Sequence, residues 1–275
     1  MTPDARPPSA LTIAGSDSGG GAGIQADLKT FSAHRVHGLS AVTALTAQNT
    51  RGVAAVHVPP AAFLRAQIEA CFGDFNVAAV KVGMLATAEV VHVVADALER
   101  HRPRWIVLDP VMIATSGARL LEPEAIDALR ARLLPMASVL TPNIPEAEAL
   151  IGDPIRKDDV DAALERLLHL GSRAVMLKGG HLDEGDEVFD RYADATSRGV
   201  FIHRRLRLQA HGTGCSFAAA VAANLCLGHG MATACRLASD YVAQGLHDGY
   251  RPGNSGALVL DHAAGLEPKN KKAGE

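Results

Sequence analysis

Short apolar segments alternate with segments of helical periodicity along most of this chain of 275 residues. The apolar segments have the length of buried strands, and a helical segment or a loop follows each of them. This alternation predicts an α/β fold in which a parallel sheet is covered by helices on both faces. We place strands at residues 11–15, 42–47, 78–82, 105–108, 138–141 and 174–178, and helices at residues 22–34, 61–71, 88–100, 123–134, 146–151 and 160–170.

The pattern changes in the last third of the chain. No internal repeat, low-complexity linker or shift in composition divides the chain into separate units. We therefore expect one domain over residues 10–267, between disordered tails at residues 1–9 and 268–275. Within its last third we place an antiparallel hairpin at residues 188–192 and 199–206, and helices at residues 216–227 and 231–246.

Composition argues against several classes of function. The formal net charge is −3, from 27 basic and 30 acidic residues, and aromatic residues make up 4% of the chain. Nucleic-acid-binding proteins usually have a basic face or aromatic stacking surfaces, so we expect no nucleic-acid partner. The chain has no apolar run of roughly 18 residues and no CxxC pair of a zinc site, and residues 1–9 lack the apolar core that a signal peptide has. We expect no membrane association and a cytoplasmic location.

Two glycines, Gly212 and Gly214, precede an alanine-rich segment that predicts a buried helix. Glycine lets the backbone turn and approach a ligand closely, and the free N–H groups at a helix N-terminus attract anions. The turn therefore predicts a phosphate site, and the same field would stabilise a Cys215 thiolate. A glycine turn that only starts a core helix is the alternative, and these residues alone do not separate the two interpretations.

A second glycine-rich loop, residues 15–23, follows the first predicted strand and opens a helix. It lacks the Gly-Lys-Ser/Thr ending of a Walker A loop, and it matches the GxGxxA dinucleotide pattern without the acid that binds the ribose. Residues 17–20 resemble the nucleophile loop of trypsin-type proteases. We set that interpretation aside, because the chain is α/β and lacks a disulfide framework. The loop lies at the carboxyl end of a strand, where open parallel sheets bind ligands. Asp27, in the helix that follows, either offers a carboxylate to a substrate or is a solvated helix charge.

Polar side chains end the other predicted strands. Gln48 can donate to and accept from the edge of an uncharged heterocycle, and Met84 would form an adaptable apolar wall. Carboxylates hold magnesium directly or through water, and a lysine neutralises a phosphate during transfer. Together with the anion site, this set predicts phosphoryl transfer without a P-loop. Its charged and amide members are Asp109, Asn143, Glu146 and Lys178.

Seven stretches together resemble the ribokinase-like superfamily and, within it, the hydroxymethylpyrimidine/phosphomethylpyrimidine kinases of thiamine biosynthesis. The first two stretches are highly specific in combination. The last distinguishes this branch from sugar kinases, which usually carry Asp where Cys215 stands. The stretches are residues 14–27, 43–50, 81–85, 109–112, 141–143, 178–181 and 211–215.

The resemblance implies a ribokinase-like three-layer sandwich with a central, mostly parallel sheet, and a homodimer. It implies that ATP and Mg²⁺ serve two transfers, first to the alcohol of 4-amino-5-hydroxymethyl-2-methylpyrimidine and then to its monophosphate. It also implies the role of each site residue: Gly15, Asp27, Gln48, Met84 and Val111 bind the pyrimidine; Gly212, Gly214 and Cys215 form an anion hole beside Lys178; and Asp109, Asn143 and Glu146 hold magnesium, directly or through water.

Several alternatives stay open. A pyridoxal or pyridoxine kinase shares this fold and often the first glycine loop. A dinucleotide-dependent oxidoreductase would need the missing ribose-binding acid, and a non-catalytic vitamin-binding protein would have no need of Lys178, Glu146 and the anion hole. Within a kinase, Cys215 either takes the proton of the alcohol as a partly ionised thiolate or contributes only its backbone N–H.

Overall fold

Nine strands form one sheet in the part of the chain that the structure, a computed structural model, describes: residues 7–114, 117–206 and 208–264. The strands are β1 (Ser9–Asp17), β2 (His37–Asn49), β3 (Gly52–His57), β4 (Val77–Val82), β5 (Trp105–Leu108), β6 (Val139–Leu140), β7 (Ala174–Leu177), β8 (Glu187–Asp194) and β9 (Arg198–Arg204). Their order is β3-β2-β1-β4-β5-β6-β7-β8-β9. Six neighbouring strands of the sheet run parallel: β2, β1, β4, β5, β6 and β7. Strands β3, β8 and β9 are antiparallel to their neighbours.

Helices cover both faces of this sheet. They are α1 (Gly23–Ala33), α2 (Ala61–Asp74), α3 (Ala88–His101), α4 (Pro123–Ala128), α5 (Ile144–Ile151), α6 (Val160–His169), α7 (Thr213–Cys226) and α8 (Met231–His247). A two-stranded parallel pair, β10 (Ala210–His211) and β11 (Leu258–Val259), adjoins the start of α7. None of the described helices is long and apolar enough to span a bilayer.

The alternation of side chains along each central strand divides the core into two layers. In β1, Leu11 and Ile13 pack with residues of α2 to α6, whereas Ala10 packs with residues of α1, α7 and α8. Successive strand residues point to opposite faces, and here both faces are covered. This arrangement explains why the central strands are continuously apolar, and it confirms the predicted three-layer α/β fold.

Helix α7 lies in the middle of its layer and is buried over most of its length. The residues from Ala218 to Ala223 have no exposed surface, and the helix packs against α1, α8, β4 and β5. Small side chains let a helix approach its neighbours closely, so the alanine-rich composition follows from this central position. The N-terminus of α7 therefore stands at the edge of the sheet where the parallel strands end.

Every predicted strand and helix is present, with bounds that differ by a few residues. Strand β3 was not predicted, because it is a short edge strand with mostly exposed side chains and owes its conformation to pairing with β2. The helix predicted at residues 123–134 is α-helical only in α4 and continues as one π-helical turn, Leu129–Leu133. The tail predicted at residues 1–9 lies outside the described residues except for its last three, of which Ser9 begins β1. The tail predicted at residues 268–275 lies wholly outside them, as do residues 265–267 of the predicted domain.

Candidate active site

Three neighbouring cavities lie along the edge where the parallel strands end. The inner cavity (about 50 Å³) lies among the loops after β1, β2 and β4; the central cavity (about 440 Å³) lies among the loops after β5, β6 and β7; and the outer cavity (about 380 Å³) lies between β8, β9 and α8. Neighbouring cavities share walls, so the three form a series. The inner and central cavities share Ala22, Val111 and Cys215, and the central and outer cavities share Lys178, Ala210, Thr213 and Gly214.

The N-terminus of α7 stands at both of these boundaries. Gly212 precedes the helix with a φ of +82°, and the first bond of the helix joins the Ser216 N–H to the Gly212 carbonyl oxygen at 2.9 Å. The amides of Thr213, Gly214 and Cys215 therefore have no acceptor within the helix. Three amides at the positive end of a helix dipole make a site for an anion at the central cavity.

The two glycine loops pack directly against each other. A Cβ on Gly212 would lie 1.8 Å from the carbonyl oxygen of Gly21, and a Cβ on Gly21 would lie 2.6 Å from Cδ2 of His211. Both positions therefore require glycine, and Gly212 requires it a second time because its φ is positive. The loop after β1 and the loop before α7 thus form one interlocked unit.

Lys178 holds two carboxylates together in the central cavity. Its Nζ lies 3.0 Å from Asp109 Oδ1 and 3.9 Å from Glu146 Oε2. Burial lowers the pKa of Lys178, but the charges of Asp109 and Glu146 outweigh burial and raise it above its ordinary value. Burial raises the pKa of Glu146 to about 7 against the opposing charge of Lys178. The ammonium is therefore charged at neutral pH, and the carboxyl of Glu146 titrates close to neutrality.

Asn143 and Glu146 form a capping box at the start of α5. The Glu146 N–H donates to Asn143 Oδ1 at 2.9 Å, and the Asn143 N–H donates to Glu146 Oε2 at 2.8 Å. The side chain of Asn143 thereby acts as a helix cap that orients the carboxylate of Glu146 towards Lys178 and the central cavity.

Two carboxylates at the central cavity fit magnesium in its usual mode. Among residues 7–114, 117–206 and 208–264, no group of three or more His, Cys, Asp or Glu side chains could hold a metal ion alone. Mg²⁺ usually keeps several waters and is bound by one or two carboxylates together with substrate phosphates. Asp109 and Glu146 match that pattern, since both line the central cavity together with the amides of the anion site.

A second lysine, Lys81, reaches the inner cavity from the end of β4. Its side chain has no exposed surface, and its Nζ donates to Asp27 Oδ2 at 2.9 Å. Asp27 Oδ2 also accepts from the hydroxyl of Thr12 at 2.6 Å, while Oδ1 of Asp27 is buried without a hydrogen-bond partner. Asp27, predicted to bind the substrate, lines neither the inner nor the central cavity; its carboxylate contacts Lys81, which lines the inner cavity.

The thiol of Cys215 stands at the wall between the inner and central cavities. Burial raises its pKa to about 11, opposed by Lys81 and supported by the carboxylates of Asp27 and Asp109. The prediction that the helix end stabilises a thiolate is therefore wrong in direction. Desolvation and the carboxylates of Asp27 and Asp109 raise the pKa more than Lys81 lowers it, so the thiol is protonated at neutral pH.

A cluster of polar side chains joins the two cavities: Asp17 and Gln48 line the inner cavity, and His211 lines the central one. Asp17 Oδ2 accepts from the amides of Gly21 and Ala22 at 3.0 and 2.8 Å and lies 2.9 Å from His211 Nε2. Burial raises the pKa of Asp17, but the hydrogen bonds from His211 and the loop amides outweigh it and hold the pKa below its ordinary value. Gln48 stands beside this pair, with its Nε2 atom 3.2 Å from His211 Nε2.

The structure brings together most of the predicted site residues. The inner cavity is lined by Gly15, Gln48, Met84, Val111 and Cys215, and the central cavity by Asp109, Val111, Asn143, Glu146, Lys178, Gly212, Gly214 and Cys215. Sequence reasoning gave no role to Lys81, Asp17 or His211. Lys81 did carry a signal, because a lysine inside an apolar strand needs a buried counter-charge. For Asp17 and His211 the only signal was their place in glycine motifs.

Phosphoryl transfer is the chemistry that this edge of the sheet serves, because its positive groups stand where ligand cavities meet. The protein is a kinase, a phosphotransferase with the ribokinase-like fold. A family model described as phosphomethylpyrimidine kinase matches residues 17–259, and the chain belongs to this family.

Relatives of known name agree with this assignment. The chain is 48% identical over 236 residues to the hydroxymethylpyrimidine/phosphomethylpyrimidine kinase of Rhizobium meliloti, with 85% of this chain and 88% of that protein covered. It is 47% identical over 253 residues to the thiamine biosynthesis bifunctional protein ThiED of Geobacter sulfurreducens. The matched region covers 90% of this chain but only 52% of that longer protein. The solved pyridoxal kinase from Staphylococcus aureus, in complex with AMP-PCP and pyridoxal, superposes with a TM-score of 0.86 at 32% identity, covering 94% of this chain and 95% of that chain.

Proposed function

We propose that the protein uses ATP to phosphorylate 4-amino-5-hydroxymethyl-2-methylpyrimidine and then converts the monophosphate to the diphosphate, in thiamine biosynthesis. The observation that carries the proposal is the wall shared by the inner and central cavities, at Val111 and Cys215. A heterocycle bound at the inner cavity, which has to widen to admit a ring, contacts Gln48 at one end, and its hydroxymethyl group then reaches the N-terminus of α7.

ATP, the phosphoryl donor, occupies the central and outer cavities. The outer cavity is lined by Val188, Phe217 and Val242 and suits a nucleoside base, whose flat faces are apolar. The central cavity takes the triphosphate, because the amides at the start of α7 and Lys178 supply positive charge there. Acceptor and donor therefore meet at the wall between the inner and central cavities.

Catalysis in this arrangement consists of positioning and charge stabilisation. The amides of Gly214 and Cys215 and the ammonium of Lys178 stabilise the charge that spreads over the transferring phosphoryl group. In the second transfer the nucleophile is an oxygen of the monophosphate, which is ionised at neutral pH and needs no base. Cys215 contributes its backbone N–H in both steps, since its thiol is protonated at neutral pH.

Asp109 and Glu146 hold Mg²⁺ directly or through water, and the ion supplies additional positive charge to the phosphates of ATP. Asp109 Oδ1 already accepts from Lys178, and Glu146 Oε2 accepts from the Asn143 amide. The other oxygen of each carboxylate would then be available to Mg²⁺ or to a water bound to it. Asn143 serves this pair by fixing the rotamer of Glu146.

Phosphorylation of pyridoxal is the second candidate, and the observation that favours it is the superposition on a pyridoxal kinase at a TM-score of 0.86. The fold and the phosphate site are the same for both reactions. The two candidates differ at the inner cavity, because pyridoxal has no exocyclic amino group beside a ring nitrogen to pair with the Gln48 amide.

The test is ADP release with 4-amino-5-hydroxymethyl-2-methylpyrimidine, pyridoxal and ribose in parallel, together with mass detection of the products. We expect the pyrimidine to give both the monophosphate and the diphosphate. A pyrimidine monophosphate without diphosphate would reduce the function to a general vitamin kinase, and turnover of pyridoxal alone would favour the second candidate.

Assembly and location stay predictions of the same proposal. We expect a homodimer, a cytoplasmic location, and no nucleic-acid or membrane partner. Sedimentation of the purified protein tests the first, and fractionation of cells tests the second.

A further inference from the structure

The side-chain amide of Gln48 lies between two hydrogen-bonding groups. On one side, Oε1 lies 3.1 Å from the hydroxyl oxygen of Thr46, and on the other, Nε2 lies 3.2 Å from His211 Nε2. The oxygen and nitrogen of such an amide exchange places by a half-turn about the last torsion, so the protons of the neighbours decide which orientation holds.

The proton of His211 is claimed by Asp17. His211 Nε2 lies 2.9 Å from Asp17 Oδ2, and an ionised carboxylate only accepts hydrogen bonds. Nε2 must therefore carry a proton and donate it to Asp17. A ring nitrogen that donates cannot also accept from the Gln48 NH₂ group.

The proton of Thr46 is claimed by the backbone. Its hydroxyl donates to the carbonyl oxygen of Ser16 at 2.9 Å. A threonine hydroxyl has only one proton, so none remains for the oxygen of Gln48. With Oε1 next to Thr46 and Nε2 next to His211, neither contact of the Gln48 amide is a good hydrogen bond. No proton lies between Oε1 and the Thr46 oxygen, and two N–H donors face each other at His211.

Turning the amide by half a turn resolves the contact with Thr46 and replaces the two facing donors at His211 by a donor and an acceptor. The Nε2–H of His211 is then shared between Asp17 Oδ2 and the amide oxygen as a three-centre bond. We propose that Gln48 presents Oε1 to the Nε2–H of His211 and Nε2 to the hydroxyl oxygen of Thr46, and that the Asp17–His211 pair holds it in that orientation. One N–H and one oxygen lone pair of the amide then stay free for a ligand in the inner cavity. His211, Asp17 and Thr46 are positioning residues that act on the ligand through Gln48.

The fixed orientation of the Gln48 amide selects which hydrogen-bonding edge of the pyrimidine can bind. This inference rests on the proposed function. A free N–H beside a free carbonyl oxygen pairs with a ring nitrogen beside an exocyclic amino group, as glutamine pairs with adenine. A pyrimidinone, with a ring N–H beside an oxo group, presents the reverse order. The ligand cannot turn over to compensate, because its hydroxymethyl group has to face the wall at Cys215.

The direct test uses the unaltered protein. NMR of protein labelled with ¹⁵N-histidine reports which ring nitrogens carry protons, and the His211→Gln variant assigns the signal of His211. We expect a proton on Nε2 of His211. A bare Nε2 would let this nitrogen accept from the NH₂ group and would overturn the proposal.

The functional test compares kcat/KM for the 4-amino substrate with that for its 4-oxo analogue in two variants of His211. Glutamine places its Nε2 the same number of bonds from Cα as histidine does, so His211→Gln keeps the donor; His211→Leu removes it. We expect the wild type and His211→Gln to prefer the amino compound by about 10- to 100-fold. In His211→Leu that ratio falls towards one, mainly through a rise in KM for the amino compound.

An unchanged preference in His211→Leu would contradict the proposal, and if this variant does not fold, the NMR result on the wild type decides. Failure of the proposed function looks different. In that case the wild type phosphorylates neither pyrimidine, whereas failure of the positioning role alone leaves the wild type active and the preference insensitive to residue 211.

Discussion

Two lysines stand at the carboxyl ends of parallel strands, and each binds a buried aspartate. Lys81, at the end of β4, has no exposed surface and pairs with one carboxylate, Asp27, at 2.9 Å. Lys178, directly after β7, has 16% of its side chain exposed and holds two carboxylates, Asp109 at 3.0 Å and Glu146 at 3.9 Å. The residue types and the place in the sheet are alike, but access to solvent differs.

Access determines what each cluster can do. At Lys178 the charges face a large cavity, so a phosphate or a metal ion can exchange with the partners present. At Lys81 the pair is enclosed, and Oδ1 of Asp27 has no hydrogen-bond partner among the described residues. Because removing one member of an enclosed pair leaves an uncompensated charge, the Lys81 pair should matter most for stability and the Lys178 cluster most for turnover.

The largest expected effect is on the stability of the Lys81→Met variant. This change leaves Asp27 buried without its counter-charge, which costs about 3–5 kcal/mol of unfolding free energy. The same substitution at Lys178 should cost less, because the lysine is 16% exposed and both of its carboxylates line the central cavity. Urea unfolding of both variants measures the difference, and the Lys81→Met/Asp27→Asn double variant should recover part of the loss. Equal losses of unfolding free energy in Lys81→Met and Lys178→Met would contradict the claim that the Lys81 pair matters more for stability.

The next effect concerns turnover in Lys178→Met. Loss of the ammonium removes charge stabilisation from the transferring phosphoryl group, and kcat should fall by about 10²–10³-fold. ADP release with the pyrimidine alcohol measures it, and Lys157→Met, at an exposed lysine outside the cavities, is the matched control. A loss of less than about tenfold would remove Lys178 from the catalytic role.

A smaller effect should appear in the pH dependence of stability. The carboxyl of Glu146 has a pKa of about 7 in the folded protein and an ordinary value of 4.5, so between these values the folded state binds more protons than the unfolded state. Its contribution to stability is therefore present below pH 4.5 and is lost as the pH rises to about 7, on the order of 3 kcal/mol. Urea unfolding at pH 5 and pH 7.5 should show a decrease in the wild type that Glu146→Gln lacks.

Two controls sharpen this measurement. Glu124→Gln, at an exposed glutamate of α4, should behave like the wild type. Lys178→Met should extend the decrease to higher pH, because it removes the charge that opposes the raised pKa of Glu146. If the wild type and Glu146→Gln lose stability in parallel, Glu146 is ionised in the folded protein throughout this range.

The smallest effect is expected for Cys215→Ala. With its thiol protonated at neutral pH, Cys215 contributes a backbone N–H that alanine keeps, so kcat on the alcohol should stay within about tenfold of the wild type. Cys71→Ala, outside the three cavities, is the control. A loss of 10²–10⁴-fold, or a turnover that rises with pH above 8 only when Cys215 is present, would restore the thiol as a general base.

Much of the fold was predictable because its signals are local. Apolar runs and helical periodicity located the central strands and the helices, and the glycine turn before residues 216–227 located the N-terminus of α7. Strand β3 escaped because pairing with β2, rather than its own composition, makes it a strand. The π-helical turn after α4 escaped for a similar reason, since its composition is that of an ordinary helix.

The candidate site was predictable to the extent that it consists of strand ends. Gln48, Met84, Asp109 and Glu146 each follow a predicted strand and Lys178 ends one, and parallel strands bring their carboxyl ends to one edge. Lys81, Asp17 and His211 were not predicted. Their partners are far away in the chain: Lys81 bonds to Asp27, 54 residues away, and His211 lies against Asp17, 194 residues away.

By itself, the sequence determined the class of fold, the edge of the sheet that binds ligands and the residue types available there, because strand and helix periodicity and glycine turns are local properties. Only the tertiary structure decided how each group behaves. Asp27 became the buried partner of Lys81, and the thiol of Cys215 stayed protonated although it starts a helix. Both outcomes depend on burial and on charges brought near by distant segments, and these two quantities set the protonation of a side chain.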